Sequence, residues 1–284
     1  MIEKFVLGTA NFGMKYGIAF KDRVEHGEAM RILERSQEAG IWGVDTAMVY
    51  GSAEEVLGEF FERKGKTFRI INKLPHKNYT SESQIHSTVK ESLKKLKVDY
   101  IDFLLLHSYK TFKSHPRLIT DALRNMKEEG IIRYYGISVY HPQEFIDFYT
   151  FCGESVAVEF PLNAFDRRFT KYLREWKSKG FILFARSVFL QGLFFLKRFE
   201  GNFKKVENKV KALKKLAEGL DMDLPCLLLS FVASFEELDG IVVGVDGLSQ
   251  LEMNIRCLRE PTKLNLEGFE VDDEDIILPY MWNS

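Results

Sequence analysis

The chain lacks what would mark it for a membrane, a nucleic acid or a disulfide framework. It contains no run of 18 apolar residues, so no helix is expected to span a bilayer. It has no excess of either charge. Lys and Arg number 40, Asp and Glu 41, and the formal net charge is -1, which gives no global attraction to nucleic acid or to an anionic membrane. Cysteine is scarce: Cys152, Cys226 and Cys257 are odd in number and widely spaced. They exclude a disulfide scaffold and any Cys-x-x-Cys metal site, and they fit a reducing cytoplasm. The N-terminal MIEKFVLGTANFG places acidic Glu3 where a signal peptide needs basic residues, so a cytoplasmic rather than secreted protein is expected. No Pro/Gly-rich linker, low-complexity stretch or second-domain boundary is visible. No strand-like run is followed by Gly-x-Gly-x-x-Gly, the dinucleotide fingerprint of an open parallel sheet.

What the chain does have is a soluble globular balance, 45% hydrophobic and 29% charged over 284 residues. Eight short apolar runs recur: residues 5–7, 42–44, 68–71, 101–106, 134–139, 156–160, 181–185 and 240–243. Most are continuously apolar, as strands buried on both faces should be. Amphipathic helical stretches lie between them. Residues 28–39, 83–96, 118–129, 165–179 and 206–218 carry apolar side chains at helical spacing, and Gly follows four of the five. Alternating strand and helix with right-handed crossovers leaves an open doubly wound sheet or a closed eight-fold barrel. Eight units in roughly 260 residues, without a dinucleotide fingerprint, favour a single-domain (β/α)8 TIM barrel over residues 1–284, with 261–284 as a tail. About 55 residues separate the seventh and eighth runs, so a long loop is expected there. Residues 1–3 are too few for a hairpin under the barrel, although a brief pairing is conceivable.

In such a barrel the chemistry sits at the C-terminal ends of the strands. The polar residues there are Thr9 and Asn11, Asp45 and Tyr50, Lys73, His107, Ser138, Glu159 and Asn163, Arg186 and Ser187, and Asp246. Asp45, Tyr50, Lys73 and His107 form a chemical set. A tyrosine alone is a poor proton donor near neutral pH. A neighbouring ammonium makes its hydroxyl more acidic, and a carboxylate keeps that ammonium charged and in place. A histidine within reach can orient a carbonyl oxygen. Singly, each has a plainer reading: Asp45 a helix cap, His107 a core residue, Lys73 a solvated charge, Tyr50 a packing residue.

The stretch Gly43-Val-Asp-Thr-Ala-Met-Val-Tyr-Gly51 resembles the signature of the aldo-keto reductases. Leu7-Gly8-Thr9, Asn72-Lys73-Leu74, Tyr100-Ile101-Asp102 to His107 and Gly136-Ile137-Ser138 follow in the family's order. The resemblance implies a nicotinamide cofactor bound in extended form. It makes Tyr50 the general acid, with Lys73 and Asp45 tuning it and His107 orienting the carbonyl. It implies cofactor contacts at Thr9, Ser138, Glu159, Arg186, Ser187, Gly192, Gly244, Asp246, Gln250 and Asn254. Glu159 stands where the family usually has Gln, and Arg186 where an aromatic often stacks. Val139 replaces a frequent Asn. Gly244 and Gln250 occupy places where many members hold a 2′-phosphate with Lys or Arg. Their absence weakens the electrostatic case for NADP over NAD, but family habit still favours NADP, and NAD stays the alternative. Asp246 is equally readable as the N-cap of the following helix.

The expected partner is a small-molecule carbonyl substrate, with no metal, nucleic acid or membrane, and a monomer is the default reading. Substrate choice should come from loops 108–116 and 190–203 and from the tail. Trp282 is expected to pack on the barrel wall, the alternative being that it folds over the mouth. The run 185–192 and the Pro-x-x-Trp end look like members associated with surface sugars. Two other readings stay open. One is a nicotinamide-binding sensor or structural subunit with little turnover, as in the potassium-channel β subunits that resemble this family. The other is an aldolase forming a Schiff base on Lys73.

Overall fold

The computed structural model describes residues 1–18 and 22–282. Eight parallel strands close into a barrel in sequence order: β1 (Phe5–Gly8), β2 (Gly43–Asp45), β3 (Arg69–Leu74), β4 (Ile101–Leu106), β5 (Ile132–Ser138), β6 (Ala157–Pro161), β7 (Ile182–Arg186) and β8 (Gly240–Gly244). β8 returns to β1 with Phe5 paired to Ile241 and Gly8 to Gly244. Each of the eight apolar runs is one of these strands, within two or three residues at either end. Their side chains are almost all buried, because one face fills the barrel and the other meets the helices.

The helices that follow the strands are α1 (His26–Glu38), α2 (Ala53–Lys64), α3 (Glu82–Leu96), α4 (Pro116–Glu128), α5 (Pro142–Cys152), α6 (Leu173–Ser178), α7 (Glu207–Gly219), α8 (Leu224–Ala233) and α9 (Leu248–Arg259), and short helices at Ala10–Gly13, Tyr109–Ser114 and Glu274–Ile277 lie in loops and the tail. Local chemistry sets their ends. Ser81 Oγ accepts from the Gln84 amide at the start of α3. Pro116 and Pro142 open α4 and α5 at first-turn positions that have no amide bond to lose. The Glu144 carboxylate reaches back to the His141 amide at 3.0 Å in a capping box.

Three expectations give way here. The helix read over 165–179 shrinks to α6 preceded by a 3-10 turn at Thr170–Tyr172. Asn163 Oδ1 takes the amides of Phe165 and Asp166, which commits the first part of that segment to a side-chain-stapled turn. The long loop after β7 is mostly structured, with 3-10 turns at Leu190–Phe195 and Gly201–Val206 followed by α7 and α8. Residues Ile2–Lys4 make one 3-10 turn rather than pairing.

The barrel bottom is closed by rings. Trp42, Phe103 and Phe184 lie 5.1–5.8 Å apart between centroids, and Tyr134 stacks on Phe103 at 5.0 Å. They cap an interior cluster that includes Val6, Ile71, Leu105, Ala157 and Val242. Cys226 of α8 and Cys257 of α9 are joined in a disulfide, which corrects the reading of the cysteines as thiols. Their 31-residue separation gives no hint of contact, but α8 and α9 pack side by side with the two residues facing. Cys152 remains a buried thiol. Trp282 is partly buried against the main apolar core. It packs edge-on to Phe203, 4.9 Å away in the segment after β7, while Tyr280 packs on Tyr140 just beyond β5. The tail thus reaches the rim, drawn there by these ring contacts. Among the described residues no helix is long and apolar enough to cross a membrane.

Candidate active site

Strand ends bring Asp45, Lys73, Glu159 and Arg186 to the mouth from β2, β3, β6 and β7. The Lys73 ammonium is buried against Asp45 Oδ1, donates to the Thr46 carbonyl at 3.2 Å and lies 3.4 Å from Glu159 Oε2. It sits 5.7 Å from the Tyr50 ring centre. The His107 ring meets the Tyr50 ring edge-on at 5.8 Å. The four residues picked out by strand-end position therefore converge on one point.

Their electrostatics differ from expectation in one respect. Burial pushes the Tyr50 phenol above its ordinary value and outweighs the lowering by Lys73. Lys73 is driven up despite burial, because Asp45 and Glu159 both favour its charged form. Burial, then Lys73, pushes His107 down to about 4, so the imidazole is neutral near pH 7. Asp45 is raised by burial and by the Glu159 charge. Glu159 is held below the usual carboxylate range, since Lys73 and Arg186 outweigh its burial.

Lys73 is steadied from behind. Asn72 Oδ1 accepts from the Lys73 amide at 2.8 Å, and Asn72 Nδ2 donates to Glu54 at 2.9 Å and to Ser92 at 2.8 Å. This three-residue network between β3, α2 and α3 escaped the sequence reading. In the sequence Glu54 sits among other acids and gives no sign of the burial it has in the fold.

From Tyr50 a cleft of about 420 Å³ runs across β1 and β8 to α9. Thr9, Asp45, Glu159, Arg186, Ser187, Gly192, Gly244, Asp246, Gln250 and Asn254 all line it. Ser138 stands just behind, its hydroxyl donating to Glu159 Oε1 at 3.1 Å. The Thr9 hydroxyl is engaged with the Asp45 carbonyl at 2.9 Å. Asp246 is held by Asn11 and Gln250, and Gln250 Oε1 in turn accepts the Asp246 amide at 2.9 Å. Asn163 holds the Ser187 carbonyl at 3.1 Å in addition to its own turn. Three polar atoms on the described cleft side chains, Asn254 Nδ2, Asn11 Oδ1 and Glu159 Oε2, are buried without a hydrogen-bond partner. Ser187, Leu190 and Gln191 all have positive φ (59°, 44° and 51°), a strained backbone that folds the segment after β7 over the cleft. It is strapped across by the Ile18 amide on the Gln191 carbonyl at 2.9 Å and by Gln191 on the Tyr16 hydroxyl at 3.2 Å. Asn11 appeared among the strand-end residues without a role. Tyr16, in an aperiodic loop, gave no signal.

A profile of the Aldo/keto reductase family matches residues 4–267. The chain belongs to this family. It is accordingly an oxidoreductase, of a family that uses nicotinamide cofactors in carbonyl reduction. Among its relatives is the uncharacterized oxidoreductase YqkF of Bacillus subtilis, 27% identical over 82% of this chain and 83% of YqkF. A probable voltage-gated potassium channel subunit beta of Arabidopsis thaliana is 25% identical, covering 89% of this chain and 88% of its own. Among solved structures, the holo form of aldo-keto reductase AKR11C1 from Bacillus halodurans superposes with a TM-score of 0.75 at 22% identity, over 94% of this chain and 89% of that one. The barrel closed in sequence order is that of an aldo/keto reductase.

Proposed function

We propose that this aldo/keto reductase reduces an aldehyde or ketone to the alcohol, with Tyr50 as the proton donor. The observation that carries the reading is the meeting of Tyr50, Lys73, Asp45 and His107 at the head of the cleft. The cleft fits a nicotinamide dinucleotide in extended form. Its long shape, the unpartnered Asn254 amide at the far end and the Glu159 and Ser138 acceptors at the near end suit adenine and carboxamide in turn. Gly244 leaves open space beside β1, and the turn through Ser187 and Gly192 suits a pyrophosphate. The bound cofactor would supply hydride to the carbonyl carbon.

The chain's own residues do the rest. Neutral His107 offers a ring N–H to the carbonyl oxygen without competing for its proton. Tyr50 donates its hydroxyl proton to that oxygen as negative charge develops on it. Lys73, anchored by Asp45, stabilises the phenolate left behind. In the oxidative direction the same phenolate takes the alcohol proton.

Family habit put NADP first, but the local charges support NAD(H). Asp246 is a carboxylate at the adenosine end, and the only cation among the described lining residues is Arg186, at the Tyr50 end. Fluorescence titration with NADH and NADPH tests this, and clearly tighter NADPH binding would reject it. The activity itself is tested by Tyr50→Phe with 4-nitrobenzaldehyde: turnover should fall by about 10²-fold or more with the dissociation constant for cofactor nearly unchanged. Full activity in that variant overturns the assignment. The channel-subunit relative keeps a second reading in view, a cofactor-binding sensor. Binding of reduced cofactor without its oxidation across a broad carbonyl panel would establish that instead.

A further inference from the structure

The mouth of the barrel holds more buried charge than one proton donor and its ammonium require. Glu159 is fully buried on β6, with Oε2 3.4 Å from Lys73 and Oε1 3.4 Å from Arg186 Nε. Arg186 is fixed in turn. It donates to the Val139 carbonyl at 3.1 Å and to the Ser187 hydroxyl at 3.2 Å, and it stacks 4.3 Å over the Tyr140 ring. Asp45, Lys73, Glu159 and Arg186 thus form one cluster of two carboxylates and two cations across four strands, buried or nearly so throughout, in which Asp45 and Glu159 also face each other. With all four groups ionised its net charge is zero. A cluster of this kind transmits the loss of any one charge to its neighbours, because little solvent is present to screen the change.

We propose that Glu159 and Arg186 act as a matched pair that sets the acidity of Tyr50. Glu159 is a positioning residue that serves as a second counter-carboxylate for Lys73, and Arg186 cancels the excess negative charge this creates. The groups that face Tyr50 are Lys73, Asp45, Glu159, Arg186, His107 and Tyr16. His107 is neutral and Tyr16 is a phenol, so the four charges of the cluster decide the field at the Tyr50 hydroxyl.

The signs follow from charge counting. Glu159→Gln leaves two cations against one carboxylate, favours the phenolate and moves Tyr50 ionisation to lower pH. Arg186→Gln leaves one cation against two carboxylates and moves it to higher pH. The double variant is again neutral and returns to the wild-type position. Each single shift should be roughly two pH units, the scale for a unit charge about 6 Å away at an effective permittivity of about 20.

The proposal is tested first in cofactor-free protein. Protein labelled with 13Cζ-tyrosine is titrated by NMR, the Tyr50 resonance being assigned by its loss in Tyr50→Phe. A lower midpoint in E159Q, no such lowering in R186Q and restoration in the double variant are expected. Unchanged midpoints in both single variants would overturn it, because a merely structural pair would alter melting or cofactor affinity and leave the Tyr50 titration in place. The kinetic arm rests on the proton-donor reading above. In E159Q the alkaline limb of 4-nitrobenzaldehyde reduction, at saturating reduced cofactor, should move down with the NMR midpoint. If the NMR shifts occur but no variant's pH profile follows them, the charge pair stands and the role given to Tyr50 fails.

Discussion

Gly13→Ala should damage the enzyme although residue 13 touches no catalytic side chain. Gly13 ends the short helix Ala10–Gly13 after β1 and lies against the turn that carries Tyr50. A methyl group there would sit 1.7 Å from the Tyr50 carbonyl oxygen, 2.6 Å from the Ala53 amide nitrogen and 2.8 Å from that of Ser52. The obstacle is backbone on every side, so no side-chain rotation relieves it. A methyl group on Gly51, at φ +54°, would in turn sit 2.2 Å from the Gly13 carbonyl oxygen. The two segments must part by more than about 1 Å to regain van der Waals separation. Overpacking of this kind costs about 1–3 kcal/mol. Displacing Tyr50 by about 1 Å from Lys73 and His107 should lower kcat/KM by about 10²-fold. The assay is aldehyde reduction at saturating cofactor beside a urea melt, with Gly27→Ala as control, since a methyl group at Gly27 meets nothing within 4 Å. A Gly13→Ala enzyme with kcat/KM within about threefold of wild type and an unshifted midpoint would refute the claim that this backbone contact seats Tyr50.

Two further outcomes concern stability. The Cys226–Cys257 bond closes a loop across a separation of 31 residues, worth about 3–4 kcal/mol in the chain-entropy view. Reduction or the Cys226→Ser/Cys257→Ser double change should lower the urea midpoint accordingly, and equal melts of oxidised and reduced protein would show that the bond does not stabilise the fold. His107, pushed from the ordinary 6.5 down to about 4, stays neutral in the fold while the unfolded chain takes up a proton. Its contribution is therefore complete above about pH 6.5 and is lost as pH falls toward 4, by about 2 kcal/mol after allowance for its partial access to solvent at the rim. Melts of wild type and His107→Gln between pH 4 and 7 should converge toward the acid end; a constant difference would contradict the shift.

The barrel was legible because two independent periodicities agree. The strands are apolar on both faces and the helices on one, and that contrast survives errors of two or three residues at each end. The segments misread were those in which side chains, rather than periodicity, fix the backbone. Asn163 turns 163–166 away from the helix that the apolar spacing of Phe165 and Phe169 suggested. The stretch after β7 holds three non-glycine residues at positive φ, which no propensity foresees. The disulfide and the contact of Trp282 with Phe203 are products of tertiary packing between elements far apart in the chain.

For the site, residue type and strand-end position gave the membership but not the balance of forces. Tyr50, Lys73, Asp45 and His107 could be collected from sequence because each lies at, or a few residues beyond, the C-terminal end of a strand. Their proton affinities could not, since burial enters with the opposite sign for a phenol and an ammonium and competes with partners on other strands. The expectation of an acidified Tyr50 counted only Lys73 and Asp45. The structure adds desolvation, which reverses the direction, and places Glu159 on the far side of the same ammonium, where it too opposes ionisation of the phenol. Glu159 and Arg186 were both noticed, but as two unrelated departures from the family's pattern. Their side chains come from adjacent strands, and only the register of β6 against β7, which sets Pro161 beside Arg186 and Glu159 beside Phe184, brings the two charges into one cluster. Each charge would be costly to bury alone, so the two substitutions are best understood as a single change in the field at the barrel mouth.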